Sequence, residues 1–174
     1  YMSREILQWF HRVVSWEPIP ENLECLRKNL EWAGKRIRIV PEALGAGTDM
    51  ALPVNPKLEN SGSWELKICI GDTRNVPIRA LDDCKFDIGP NLIKIDTQGF
   101  ELDILKGGEK TIREYMPVLI VECGAIGYAD KTGVPELLES WGAVLLGHMR
   151  KDRLYYWPQN VRRFRHSCRN SGSL

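Results

Sequence analysis

Three short apolar runs, each closed by an acid, constrain this chain more than any other feature. Residues 12–16 (RVVSW) lead to Glu17, residues 92–95 (LIKI) lead to Asp96, and residues 117–121 (PVLIV) lead to Glu122. Compact runs of this kind read as buried strands. Helical spacing follows two of them: Leu23, Leu26, Leu30 and Ala33 after the first, Leu102, Leu105, Ile112 and Tyr115 after the second. Pro20 suits a first helical turn and Gly34 a stop. Strand, helix, strand, helix predicts an α/β protein with a parallel sheet covered on both faces.

The rest of the chain fits around that frame. Ile6, Leu7 and Phe10 give residues 3–10 a helical face, and Ile37 to Val40 reads as a second strand. Residues 45–62 are rich in Gly, Pro and Asn and read as loop, with a short strand around Met50 to Val54. Trp64 to Ile70 alternates as an antiparallel strand with one wet face would, and Val76 to Ala80 reads as another short strand. A helix around Pro135 to Trp141 precedes two closing strands, Ala143 to Leu146 and Arg153 to Trp157, expected as an antiparallel edge hairpin. One domain is expected over residues 1–160, with a basic, Ser/Gly-rich tail at 161–174. That tail is either a frayed terminus or a docking arm for an acidic partner or nucleic acid.

Composition excludes several classes. The chain has 174 residues and a formal charge of +1, with 43% hydrophobic and 27% charged residues. That balance gives no drive toward nucleic acid or a membrane surface. Its apolar stretches fall far short of the roughly 20 residues a membrane span needs. Cys25, Cys69, Cys84, Cys123 and Cys168 are scattered without a CxxC pair, which fits neither a disulfide framework nor a zinc site and predicts thiols in a cytoplasmic setting. His11, His148 and His166, placed before a strand, in the last turn and in the tail, form no triad or metal-ligand spacing.

The closing acids point to a ligand site. In doubly wound sheets that bind nucleotides, an acid at the carboxyl end of the second strand accepts hydrogen bonds from ribose, about 20 residues beyond a glycine-rich turn. Glu17 has that context. Counting back, the turn falls at or just before Tyr1, so the first strand and glycine loop are expected to precede Tyr1, with residues 1–10 as the first crossover helix. The plain alternative is a solvated strand end beside a helix start. Around the central strand, Lys94, Asp96, Gln98, Gly99 and Glu101 gather where open α/β sheets bind ligands. Acids with only a structural role belong on exposed helix faces, as expected of Glu24, Glu31 and Glu139. Lys94 shares a face with Asp96 if its strand stays regular; otherwise it snorkels or pairs with a carboxylate. Glu101 fits a helix amino terminus through the macrodipole.

In order and spacing, SWEPIPENLECLRKNL, PEALG, LDD at Leu81 to Asp83, IKIDTQGFELDILKGGEKTI and PVLIVE resemble the FkbM-type S-adenosylmethionine-dependent methyltransferases. The resemblance covers about Tyr1 to Trp157, and its most specific element is Lys94 to Glu101 followed by Leu105, Lys106 and Gly107. It implies a class I, Rossmann-like methyltransferase fold: a seven-stranded, mostly parallel sheet with a carboxyl-terminal antiparallel hairpin. It also implies S-adenosylmethionine as cofactor and O-methylation of a hydroxyl on a sugar or polyketide-like acceptor, so that the partner is a small molecule or glycan. By position, Glu17 would hold the ribose, Glu42 and Ala43 would lie near the adenine, and Asp96 would face the methionine end or the acceptor. Asn60 and Gly62, ahead of Trp64, resemble the family's Asn-x-Gly stretch and either line the acceptor pocket or form a polar turn. Two departures stand out: the glycine loop is absent, and Cys123 and Gly124 stand where this family often has a histidine.

Methyl transfer from a sulfonium is an in-line displacement in which alignment does most of the work. A neutral hydroxyl is a poor nucleophile, so a base helps. Asp96 or Glu122 serves if burial or a like charge lifts its pKa, with Lys94 as the third catalytic candidate. Asp96 and Glu122 are also hard ligands of the kind that would let a divalent cation orient the acceptor through its oxygens, an alternative for which two carboxylates are thin support. Two other classes stay open: a non-catalytic methyltransferase-like module in a larger assembly, and a nicotinamide-dependent Rossmann enzyme, against which the closing hairpin and the Lys94 to Glu101 stretch count.

Overall fold

All three acid-terminated runs are strands. The computed structural model describes residues 2–47, 49–54, 65–68, 76–97, 99–123 and 132–160, with only the backbone of 49–54 and 65–68. Its contacts divide the chain into two units, Tyr1–Ala80 and Leu81–Leu174. Gln98, Asn60, Gly62, Trp64, Gly124 and the tail 161–174 lie outside the described residues.

In the first unit, α1 (Met2–Ile6), β1 (Val13–Trp16), α2 (Pro20–Leu30), a 3-10 helix (Glu31–Arg36) and β2 (Ile37–Val40) form one parallel β-α-β crossover. Leu7, Leu30 and Ala33 are buried together, with Val13, Leu26, Ile37 and Ile39 packed on them, so the helical and strand periodicities converge on one cluster. Helix α1 is shorter than its apolar spacing predicts. The Arg36 guanidinium donates to the carbonyls of Leu7, Phe10 and His11, satisfying acceptors that the end of a helix leaves without internal partners. Gly34 is the predicted stop, at φ 53, where a side chain would be strained.

The remaining strands of this unit, β3 (Ala43–Gly45), β4 (Asp49–Val54), β5 (Glu65–Ile68) and β6 (Val76–Ala80), form a sheet in the order β3-β6-β4-β5. Strand β3 is parallel to β6, while β4 runs antiparallel to both β5 and β6. A Cβ at Gly45 would lie 2.6 Å from Ile78 Cγ2, which is why glycine ends the PEALG stretch.

The second unit contains a 3-10 helix (Leu81–Asp83), β7 (Leu92–Ile95), α3 (Glu101–Gly107), α4 (Glu109–Tyr115), β8 (Val118–Glu122), α5 (Val134–Ser140), β9 (Val144–Met149), β10 (Asp152–Tyr156) and a last 3-10 turn (Pro158–Asn160). The strand order is β7-β8-β10-β9. Strands β7 and β8 are parallel, and β10 is antiparallel to both β8 and β9, forming the expected closing hairpin. His148 lies within β9 rather than in the turn. One sheet face is apolar: Ile95, Leu119, Val121 and Tyr155 are all buried.

The helical pattern over 101–115 forms two helices instead of one. They break at Gly108, where a Cβ would lie 2.8 Å from Leu81 Cδ2 and 3.2 Å from the Ile104 carbonyl oxygen. The Asp82 carboxylate then caps α4, accepting the amides of Lys110 at 3.1 Å and Thr111 at 2.8 Å. Helix α4 ends at a left-handed Met116, φ 47. Asn160 Nδ2 donates to the carbonyls of Tyr115 and Met116, and Trp157 Nε1 to that of Pro117.

Among the described residues the sheets are mixed, with three parallel strand pairs (β1/β2, β3/β6, β7/β8) and four antiparallel ones. The parallel pairs β1/β2 and β7/β8 carry the acid-terminated runs. No helix among the described residues is long and apolar enough to cross a membrane.

Candidate functional site

Strand register builds a charged face at the carboxyl ends of β7 and β8. Lys94 stands opposite Ile120, and Ile120 opposite Leu154. Two residues on, Glu122 stands opposite Asp152. Alternate residues share a face, so Lys94, Glu122 and Asp152 lie on one side, opposite the buried Ile95, Leu119, Val121 and Tyr155. Lys94 spans this face: its Nζ is 2.5 Å from Asp152 Oδ1 and 3.3 Å from Asp96 Oδ2, with the side chain only 11% exposed. The strand therefore stays regular enough to put Lys94 and Asp96 together.

Glu122 is the half-buried member of the carboxylate pair and Asp96 the open one, with side chains 14% and 45% exposed. Burial pushes the Glu122 carboxyl above the usual glutamate range, and the hydrogen bond and negative charge of Asp96 push it further. Lys151, whose Nζ lies 3.4 Å from Glu122 Oε1, acts in the opposite direction. Two carboxylates in contact cannot both ionise freely, so a proton is held more tightly by the pair than by either acid alone.

Glu101 supports this arrangement from below. Its buried carboxylate accepts the Thr97 amide at 2.8 Å and hydroxyl at 3.1 Å through Oε1, and the Gly99 amide at 2.9 Å through Oε2. The loop after Asp96 is thus fixed by direct hydrogen bonds, where the sequence suggested only a helix-dipole effect. Gly99 sits at φ 116, which glycine alone adopts without strain.

The other candidate residues belong to the first unit. Glu17 follows β1 and Glu42 follows β2, at the same end of one parallel pair. Glu17 Oε1 accepts the Ile19 amide at 2.9 Å, and the Asn22 side chain donates to the same carboxylate. Burial raises the Glu17 pKa, and these two hydrogen bonds partly offset the rise. Glu42 is gripped by the Arg79 guanidinium, Nε to Oε2 at 2.6 Å and Nη2 to Oε1 at 2.9 Å, and that contact holds its carboxyl below the usual range. Ala43 is buried within β3. Glu24, Glu31 and Glu139 lie exposed on helices, as expected of structural acids.

Asp152, Lys151 and Arg79 escaped the sequence reading. Only the register of β8 against β10 brings Asp152 beside Glu122, and a one-residue slip would have turned it to the opposite face. Among the described residues, no group of three or more His, Cys, Asp or Glu side chains is arranged to hold a metal ion.

Comparison with known proteins agrees with this architecture. The family described as the Methyltransferase FkbM domain matches residues 1–151. The crystal structure of Methyltransferase FkbM from Methylobacillus flagellatus KT aligns over 85% of this chain at 24% identity and a TM-score of 0.57. This chain spans 37% of that one, and the likeness shows a shared α/β fold. No curated protein matches. With the family matched over residues 1–151 of 174, this chain belongs to the FkbM methyltransferase domain family.

Proposed function

We propose that this protein is an S-adenosylmethionine-dependent methyltransferase that methylates a hydroxyl on a sugar or polyketide-like acceptor. The observation that carries this reading is the Asp96–Glu122 pair at the carboxyl ends of two parallel strands, with the proton affinity of Glu122 raised by burial and by Asp96. A carboxylate of raised pKa is a stronger base toward a hydroxyl proton than an ordinary one. In this reading Asp96, the more exposed acid, receives the acceptor hydroxyl, and its contact with Glu122 lets the pair hold the proton released. Lys94, 3.3 Å from Asp96, has no proton acceptor of its own while charged.

The chain's residues also fit the cofactor. Glu17 spends part of its acceptor capacity on Ile19 and Asn22, and a carboxylate has about four lone-pair positions, which leaves room for ribose hydroxyls. Glu42 and Ala43, beyond β2, are assigned to the adenine end; with Glu42 held by Arg79, the ion pair as a unit would face the ring. Bound S-adenosylmethionine would supply a sulfonium methyl whose carbon–sulfur bond breaks as the carbon–oxygen bond to the acceptor forms. Asp96 and Glu122 take up the hydroxyl proton that this exchange releases.

Calorimetric titration of S-adenosylmethionine into the intact protein tests the reading. Saturable binding, followed by release of S-adenosylhomocysteine in the presence of hydroxylated acceptors, supports it. An intact protein that binds neither the cofactor nor its demethylated product overturns it, in favour of a non-catalytic methyltransferase-like module.

A further inference from the structure

Asp152 has no role in the reading above, yet it makes a short contact on the charged sheet face. It opens β10, stands opposite Glu122 across the β8–β10 ladder and reaches past that strand to Lys94 on β7, with Nζ to Oδ1 at 2.5 Å. The Lys94 side chain is 11% exposed, so the direction of its ammonium is set by the partners it finds within the protein. Those partners are Asp152 on one side and Asp96 on the other, and the Asp96 contact is longer, at 3.3 Å.

We propose that Asp152 is a positioning residue: it draws the Lys94 ammonium toward β10 and keeps its contact with Asp96 the looser of the two, leaving the Asp96–Glu122 pair to meet the acceptor hydroxyl. The proposal rests on the methyltransferase reading for its purpose, but its geometry is independent of any cofactor. Without Asp152, the lysine charge would pass to Asp96. A carboxylate locked to an ammonium is a weaker base, because the ionised form is stabilised. Asp96 after β7 and Lys151 in the β9–β10 turn act on the Glu122 carboxyl, register sets Asp152 of β10 opposite it, and Lys94 on β7 bridges Asp96 and Asp152 on the same sheet face.

Removing the Asp152 charge therefore moves Glu122 in one direction only. The negative group opposite it disappears, and Lys94 shifts toward its neighbour; both changes favour ionised Glu122. The test is carboxyl-carbon NMR titration of Glu122 in wild type and Asp152→Asn, with Glu122→Gln to assign the resonance. The expected result is a Glu122 midpoint shifted to lower pH in Asp152→Asn and restored toward wild type in Asp152→Glu. An unmoved midpoint in a folded Asp152→Asn protein overturns the proposal, even if its melting temperature falls.

A second measurement needs no variant. In wild-type protein, reductive methylation should modify Lys94 several-fold more slowly than Lys151, whose side chain is 61% exposed. Equal rates would show that Asp152 does not hold the lysine. Titration of S-adenosylmethionine into wild type separates the two questions: absence of binding removes the methyltransferase reading and leaves the Glu122 and Lys94 results to decide the role of Asp152.

Discussion

Glu101 Oε2 accepts the backbone amide of Gly99 at 2.9 Å, two residues back along the chain, while its other oxygen holds Thr97. One buried side chain thus fixes both halves of the loop that follows Asp96. Glu101→Ala leaves at least two backbone donors without their acceptor, which is expected to cost about 3 kcal/mol, since each buried unsatisfied donor costs about 1–3 kcal/mol. Urea unfolding measures it. Glu101→Gln, which keeps one carbonyl oxygen, should fall between the two, and a change below about 0.5 kcal/mol for Glu101→Ala would contradict the clamp.

Glu122 gives a pH prediction with a definite sign. Its folded pKa is raised above the ordinary glutamate value, so the folded state binds more protons than the unfolded one in the window above that value. Stability from this group therefore declines as pH rises through the window and is level above it. Glu122→Gln lacks the titration and should melt higher than wild type at neutral pH, with the difference shrinking as pH falls toward about 4. The same substitution should lower turnover. A melting difference that grows on acidification would reverse the assignment.

Two substitutions separate the Ile19 contact of Glu17 from its proposed ribose contact. Glu17→Ala removes both the acceptor for the Ile19 amide and the proposed ribose contact. It should cost about 1 kcal/mol of stability, as loss of a helix-start acceptor does, and about 1.5–3 kcal/mol of S-adenosylmethionine affinity. Glu17→Gln keeps an oxygen for Ile19 and should recover most of the stability without recovering all of the affinity. Calorimetry and thermal unfolding report the two effects separately.

The Arg79–Glu42 pair is a partly exposed fork, with the arginine side chain 47% and the glutamate 21% accessible. Its contribution is expected to be under about 1 kcal/mol despite its good geometry, because water screens it. A double-mutant cycle with Arg79→Ala and Glu42→Ala measures the coupling in 50 mM and 1 M salt; it should shrink at high salt.

Gly108→Ala tests the break between α3 and α4. A methyl there meets Leu81 and the Ile104 carbonyl, and overpacking of this kind costs about 1–3 kcal/mol, against the gain of up to about 1 kcal/mol that alanine usually brings to a helix. Net destabilisation in urea supports the contact with Leu81; net stabilisation would mean that the helices join freely.

Periodicity revealed most of the secondary structure because burial on one face leaves a regular imprint. Leu92 to Ile95 is a strand over the expected span, and the pattern of Val76, Ile78 and Ala80 alternates inward as written. What escaped were features set by contacts distant in sequence. The carbonyls that follow α1 are taken by Arg36, some 25 to 29 residues later, and Gly108 divides a helix because Leu81 packs there. At the candidate site, Asp96, Glu122 and Lys94 were visible as charges at strand ends, where apolar neighbours make them conspicuous. Asp152 was not, since an aspartate at a hairpin turn is ordinary until strand register sets it beside Glu122. Glu101 was seen, but its direction was missed, because the fold of a loop back onto a side chain leaves no periodic trace.

The carbonyls of Tyr115, Met116 and Pro117, between α4 and β8, take their hydrogen bonds from Asn160 and Trp157, 40 to 45 residues further on. On the ribosome, where about 5–20 residues are added each second, this corner emerges a few seconds before the groups that close it. During that interval β8 has no β10 beside it, and its apolar edge is open to chaperones or to other nascent chains. Late-arriving Trp157 and Asn160 thus act as a seal on the second unit, and substitutions there should reduce yield during synthesis more than their effect on the finished protein's equilibrium stability would suggest.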